Sequence, residues 1–104
     1  MLHQKHTALL AASVALALGI LHSLMKAGIA VPKEISLMGF DDVEAAAYVY
    51  PDLTTVKLDW GGLGKLGAQR LFDLLSDTGI EQPAALCRYP VHVVWRGSCE
   101  PPAY

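Results

Sequence analysis

The chain has 104 residues, 53% of them hydrophobic, and a formal net charge of -2. This composition allows one small domain with a packed core and argues against an intrinsically disordered chain. The basic residues are scattered along the sequence, so no basic patch predicts nucleic-acid binding. Cys87 and Cys99 lack the paired spacing of a zinc site, and we interpret them as reduced cysteines of a cytoplasmic protein.

The N-terminal apolar segment has two interpretations. Residues 8–21 are nearly all apolar and follow Lys5, which is typical of a secretory signal peptide. The segment is shorter than the about 20 residues that cross a bilayer, so we expect no membrane-spanning helix. The alternative is a short strand over residues 8–12 and a helix over residues 14–27, with Ser13 as its N-cap.

Residues that end helices favour the strand and helix over the signal peptide. Lys26 lies in the last turn of the predicted helix, where a cation interacts favourably with the helix dipole. Gly28 follows at the position where helices often end in the left-handed conformation, and Pro32 comes soon after. A cleaved signal peptide would not require these residues.

The middle of the chain alternates between predicted strands and helices. Residues 35–40 form an apolar run, which predicts a strand covered on both faces. A short helix is predicted over residues 43–49, and the β-branched residues within 54–58 predict another strand. Asp59 is placed to cap a glycine-rich helix over residues 60–76.

Towards the C-terminus, Gly79 is predicted to end this helix, and residues 84–89 and 91–96 are predicted to be extended. We expect Trp95 to lie in the core. Strands that alternate with helices predict an α/β fold built on a parallel sheet. The leucines of helix 60–76 fall mostly on one face, which the other predicted elements do not suffice to cover.

Two candidate ligand contacts follow predicted strands. Asp41 and Asp42 come directly after strand 35–40, and open α/β sheets bind ligands at the carboxyl ends of their strands. Carboxylates accept hydrogen bonds from sugar hydroxyls or bind a cation; the alternative is an exposed loop that starts the next helix. Trp60 follows the next strand, where its ring would either stack on a sugar or pack in the core.

The sequence predicts neither an enzyme nor a cofactor site. His92 and Ser98 lack a Gly-x-Ser-x-Gly elbow, and no orienting acid completes a catalytic triad. His3, His6 and His22 lack metal-ligand spacing, so we expect no metal centre. The glycines of the second helix lack the lysine and hydroxyl of a phosphate-binding loop.

Seven motifs together resemble the C-terminal part of regulators of the lactose- and galactose-repressor family. The resemblance covers residues 8–102, and its most specific feature is the spacing between the third and fourth motifs. The motifs are Ala17-Leu18-Gly19, Gly28-x-x-Val31-Pro32-x-x-Ile35-Ser36, Gly39-Phe40-Asp41-Asp42, Pro51-x-Leu53-Thr54-Thr55-Val56, Asp59-Trp60, Gly64-x-x-Gly67-Ala68 and Arg96-Gly97-Ser98.

The resemblance implies that residues 1–104 form a truncated part of an effector-binding domain with the type I periplasmic-binding-protein-like α/β fold. It implies that Asp41 contacts the hydroxyls of a small-molecule effector, expected to be a sugar, and that Trp60 stacks on it. A polar-acidic pair of the family falls on Ser13 and Val14. Ser13 is therefore a third candidate ligand contact, whereas Val14 replaces the acidic residue.

The same resemblance implies partners. The helix-turn-helix, hinge helix and most of the first lobe of the family have no counterpart here, so DNA contact would require a domain outside this chain. We expect a truncated gene product, a fragment or a frameshifted remnant of a transcriptional regulator. Helix 14–27 and residues 45–50 are implied to form a homodimer contact, and the leucine face of helix 60–76 is implied to pack on the missing lobe.

Two other functions remain open from the sequence. One is the remnant of a secreted sugar-binding protein, which requires the N-terminal segment to be a cleaved signal peptide. The other is a phosphoacceptor or magnesium-binding domain that uses Asp41 and Asp42, with Lys57 as the candidate lysine.

Overall fold

The computed structural model describes residues 6–76 and 88–102. The chain forms two compact units, which are described separately. The first unit contains the residues up to Lys57 together with those from His92 onward, and the second runs from Leu58 to Val91.

The first unit is built on a four-stranded sheet with the order β1-β2-β3-β4. Its strands are β1 (Ala8–Leu10), β2 (Ser36–Phe40), β3 (Thr54–Lys57) and β4 (His92–Val94). The first three strands are parallel, and β4 pairs with β3 in the antiparallel direction. The predicted α/β class is confirmed, although the sheet is mixed rather than wholly parallel.

Helix α1 (Val14–Lys26) connects β1 to β2; it begins where the sequence predicts and ends one residue before the predicted end. The Ser13 hydroxyl accepts a hydrogen bond from the amide of Leu16 at 3.1 Å, which satisfies one of the free donors at the helix start. Gly28 follows the helix with a φ of 76°, the left-handed conformation that glycine adopts without a steric penalty.

The apolar N-terminal segment is part of the core of the first unit. The buried apolar residues form one cluster to which the segment 11–21 contributes more than any other element. A 3-10 helix (Glu44–Ala47) between β2 and β3 covers another part of the cluster. The cluster consists of Ala11, Val14, Ala17, Leu21, Leu37, Ala46 and Leu53.

Gly39 in β2 allows α1 and Leu53, the residue before β3, to approach the strand closely. A Cβ at this position would lie 3.1 Å from Leu53 Cδ2 and 3.4 Å from both Ala17 Cβ and the Val14 Cα. These distances leave no room for a methyl group without movement of the neighbours.

The second unit contains α2 (Trp60–Leu75), and no residue of this helix is buried. Asp59 caps the helix as predicted, because its Oδ1 accepts a hydrogen bond from the amide of Gly62 at 3.0 Å. The apolar side chains near the end of the helix are more than half exposed, which agrees with the predicted uncovered leucine face. They are Leu71, Phe72, Leu74 and Leu75.

The prediction that Trp95 lies in the core is wrong, because this side chain is 72% exposed. Trp95 follows the last residue of β4, an edge strand whose own side chains are largely exposed. Gly79 and most of segment 84–89 lie outside the described residues, as does Cys87, whereas Cys99 is a free thiol. Over the described part of the chain, neither helix has the length and hydropathy needed to cross a membrane.

Candidate functional site

Asp41 lies directly after the carboxyl end of β2, as predicted, and has an unusual backbone conformation. Its φ is 89° and that of Asp42 is 42°, so two consecutive non-glycine residues lie in the left-handed region. The Asp41 amide donates to the Val56 carbonyl at 2.9 Å, and the Asp42 amide donates to Thr55 Oγ1 at 3.2 Å. Strand β3 therefore holds this turn, which we call the aspartate turn (residues 41–42).

Arg96 also holds the aspartate turn, a role that the sequence analysis missed. Its Nη1 lies 2.7 Å from Asp42 Oδ1 and also donates to the Leu53 carbonyl at 2.8 Å. The side chains of Arg96 and Asp42 are only 17% and 10% exposed, so solvent screens this ion pair little. The motif Arg96-Gly97-Ser98 was a signal for this role, but its partner lies 54 residues away.

The segment after β4 joins the amino ends of β2 and β3. Ser98 is fully buried; its Oγ accepts from the Thr54 amide at 2.9 Å and donates to the Leu37 carbonyl. The Leu37 amide in turn donates to the Ser98 carbonyl at 2.9 Å. The Arg96 amide donates to Thr54 Oγ1 at 2.9 Å, so this segment fixes Arg96 through its backbone as well.

Ser13 lies near the carboxyl end of β1, the strand beside β2, and it is half-buried. Its hydroxyl oxygen is engaged as the N-cap of α1. A hydroxyl oxygen has two lone pairs and one donor, so a ligand contact would use the remaining capacity of Ser13.

Trp60 is the first residue of α2 and belongs to the second unit, where its side chain is 56% exposed. This exposure is inconsistent with plain core packing and leaves the ring accessible. Beside it, Tyr89 donates to Asp59 Oδ2 at 3.2 Å. Partial burial raises the pKa of Tyr89, and the hydrogen bond and negative charge of Asp59 raise it further.

The structure thus places Ser13 and Asp41 after neighbouring parallel strands, where open α/β sheets bind ligands. Trp60 follows β3 along the chain and is described within its own unit. A carboxylate and a hydroxyl would recognise ligand hydroxyl groups through hydrogen bonds. The ion pair with Arg96 neutralises Asp42, which argues against the alternative of a divalent cation held by Asp41 and Asp42 together.

A cavity of about 400 Å³ lies at the amino ends of the strands, opposite the aspartate turn. None of the predicted ligand contacts lines it. Its walls are Thr7, Ala8, Ser36, Trp95, Cys99, Glu100, Pro101 and Pro102.

Comparison with known proteins identifies the family of this α/β unit. The sequence profile of the periplasmic binding protein-like domain matches residues 1–99. This chain belongs to the periplasmic binding protein-like domain family. Its relatives are LacI-family regulators, which confirms the resemblance derived from the motifs.

Three relatives illustrate the extent of the match. The lactose operon repressor of Escherichia coli is 34% identical over 86% of this chain and 24% of its own length. A LacI family transcriptional regulator from Enterococcus faecium, with bound ribose, has a TM-score of 0.78 at 30% identity and is matched over 96% of this chain and 37% of its own.

The third relative is the lac repressor dimer bound to operator and the anti-inducer ONPF. It has a TM-score of 0.76 at 33% identity, over 89% of this chain and 32% of its own. This periplasmic binding protein-like domain spans about a quarter of the length of the Escherichia coli lactose operon repressor and of the repressor MelR of Bacillus subtilis. It covers 82% of a lactose operon repressor of Rhizobium radiobacter, at 25% identity.

Proposed function

We propose that this periplasmic binding protein-like chain is part of the effector-sensing domain of a cytoplasmic transcriptional regulator and that its effector is a sugar. The observation that supports this best is the aspartate turn, which places Asp41 in a held, left-handed conformation at the carboxyl end of a central strand. A relative with 30% identity is described with bound ribose, which makes this sugar the first probe to test.

In this proposal Asp41 accepts hydrogen bonds from sugar hydroxyls, Ser13 contributes a hydroxyl, and Trp60 stacks on the apolar face of the ring. The role is binding rather than catalysis. The chain corresponds to only part of its relatives, and small-ligand sites gain affinity by enclosing most of the ligand. We therefore expect weak binding by this chain alone, in the millimolar range or above.

The site is tested by titrating the isotope-labelled full chain with D-ribose while the chemical shifts of its backbone amides are recorded by NMR. Asp41→Ala should abolish the shifts that wild type shows, and Trp60→Ala should weaken them. Asp73→Ala removes an exposed carboxylate on α2 and serves as the control, with unchanged binding. Submillimolar binding that is unaffected by Asp41→Ala would contradict the assignment of the site.

We also propose that the first unit associates with a second copy of the chain. The exposed apolar residues Leu16 and Met25 of α1, together with Tyr48 and Tyr50, support this proposal, because monomers rarely expose large apolar patches. Light scattering should report a dimer or larger species. Leu16→Glu, at an exposed position in the first turn of α1, should shift the equilibrium towards monomer, and a stable wild-type monomer would refute the proposal.

We do not expect this chain to recognise a specific DNA sequence by itself, because its basic residues are scattered and the net charge is -2. A gel-shift assay that finds a preferred operator at physiological salt would overturn this view.

The second candidate function, a secreted sugar-binding protein, requires removal of the apolar N-terminal segment. That segment forms β1 and α1 and supplies much of the described core, which favours the cytoplasmic regulator; cell fractionation separates the two.

A further inference from the structure

The aspartate turn needs support from outside itself, because Asp41 and Asp42 both have positive φ values of 89° and 42°. Non-glycine residues rarely adopt this conformation, and asparagine and aspartate are the usual exceptions. Two such residues in succession persist only where surrounding contacts hold them. The structure shows three such contacts.

Two of these contacts come from β3 and involve only the amides of the turn. They are the bonds from the Asp41 amide to the Val56 carbonyl and from the Asp42 amide to Thr55 Oγ1. The third contact is the ion pair between Asp42 and Arg96. Of these three contacts, it is the one that uses a side chain of the turn.

Arg96 is itself held in place before it reaches the turn. Its amide donates to Thr54 Oγ1 at 2.9 Å, and the same Nη1 that contacts Asp42 donates to the Leu53 carbonyl at 2.8 Å. Two residues later, Ser98 anchors the segment to β2 and β3 in a fully buried position. The guanidinium therefore has little freedom to follow Asp42 if the turn changes conformation.

We propose that Arg96 is a positioning residue for the ligand site: through Asp42 it keeps Asp41 in the left-handed conformation that presents its carboxylate to the ligand. The inference rests on the proposed function for the identity of Asp41 as a ligand contact. The conformational part stands on the contacts of the turn alone. It follows that residues 96–98, distant in sequence, set the conformation of the site.

Amide hydrogen exchange on the full chain without ligand tests the conformational part. In Arg96→Gln, the amide of Asp41 should exchange about tenfold faster, because a hydrogen bond to a charged group is lost from the turn. The amide of Leu37, which donates to the Ser98 carbonyl, should keep its protection. If Arg96 only stabilised the fold as a whole, Arg96→Gln would accelerate exchange at both amides together, and that result would overturn the proposal.

Two further variants separate charge from shape. Asp42→Asn tolerates the positive φ but lacks the charge, so it should accelerate exchange at Asp41 much as Arg96→Gln does. Combining both substitutions should add little, because each removes the same interaction. Arg96→Lys keeps the charge and should restore part of the protection, whereas Arg70→Gln on exposed α2 is the matched control and should have no effect.

A titration with D-ribose then separates the positioning role of Arg96 from the proposed sugar-binding function. If wild type binds ribose, Arg96→Gln should weaken binding about tenfold, with the fold and the exchange at Leu37 intact. Unchanged ribose affinity in that variant would overturn the positioning role. If wild type does not bind ribose while Arg96→Gln still releases the Asp41 amide selectively, the conformational role of Arg96 holds and the failure belongs to the proposed function.

Discussion

Replacing Ser98 with alanine tests whether the segment after β4 stabilises the sheet. Ser98, Thr54 and Leu37 are all fully buried, so water has no access to the polar groups that the hydroxyl serves. Ser98→Ala removes the acceptor of the Thr54 amide and the donor to the Leu37 carbonyl. An alanine fits the space of a serine, so the substitution removes hydrogen bonds without creating a large cavity or a clash.

The magnitude follows from the groups left without partners. A buried donor that loses its acceptor costs about 1–3 kcal/mol. The free-energy cost at the Leu37 carbonyl is smaller, because the thiol of Cys99 lies 3.3 Å from the same oxygen and still donates a weak hydrogen bond to it. We therefore expect Ser98→Ala to lower the free energy of unfolding by about 2–3 kcal/mol. For a domain of this size each kcal/mol lowers the Tm by roughly 4–8 °C.

Urea denaturation followed by far-ultraviolet circular dichroism measures this loss as a lower midpoint at an unchanged slope. The control is Ser23→Ala, which removes an exposed hydroxyl from the interior of α1. Alanine favours helix more than serine, so this control should be neutral or slightly stabilising. If Ser98→Ala lies within about 0.5 kcal/mol of wild type, the buried hydroxyl is not a significant stabilising contact.

Substitutions at three further positions follow from the contacts described above. Gly39→Ala should destabilise the first unit by about 1–3 kcal/mol, because its methyl group meets Leu53 Cδ2 at 3.1 Å, and thermal unfolding reports the loss. Ser13→Ala should cost about 1 kcal/mol and Ser13→Asn much less, because asparagine also caps helices. The raised pKa of Tyr89 means that its bond to Asp59 stabilises below the unfolded tyrosine pKa and is lost as the pH rises through the folded value. In an ultraviolet titration, Asp59→Asn should therefore shift the ionisation of Tyr89 to lower pH.

Features with a local cause were predictable from the sequence. Ser13 and Asp59 cap helices through bonds to an amide three residues later, and Gly28 ends α1, so each effect is decided within a few positions. The position of Asp41 after β2 was also predictable, because an apolar run followed by acidic residues marks the end of a buried strand. Its role as a ligand contact stays a prediction.

Features that depend on distant partners were not predictable from local patterns. Arg96 bonds to Asp42 and Ser98 to Thr54 across separations of 54 and 44 residues. Neither pair is visible in periodicity, although the motif that contains Arg96 and Ser98 was noted. The antiparallel direction of β4 and the exposure of Trp95 have the same origin, since both depend on where the chain returns to the sheet.

The two ends of the parallel strands therefore have different physical roles. At the amino ends, Ser98 satisfies buried backbone groups of two strands, so substitutions there should lower stability whether or not a ligand is present. At the carboxyl ends, Asp41 lies in a turn with a positive φ and has a half-buried side chain. Its substitution by asparagine, which tolerates this conformation, should therefore cost little stability and mainly affect binding. Arg96 contacts both regions, because its backbone bonds to Thr54 and its guanidinium to Asp42. Because the backbone bond to Thr54 and the anchor of Ser98 do not involve the guanidinium, substitution of the Arg96 side chain is expected to release the ligand turn while the amino ends of the strands keep their contacts. A residue-by-residue measurement such as amide exchange detects this difference between the two ends.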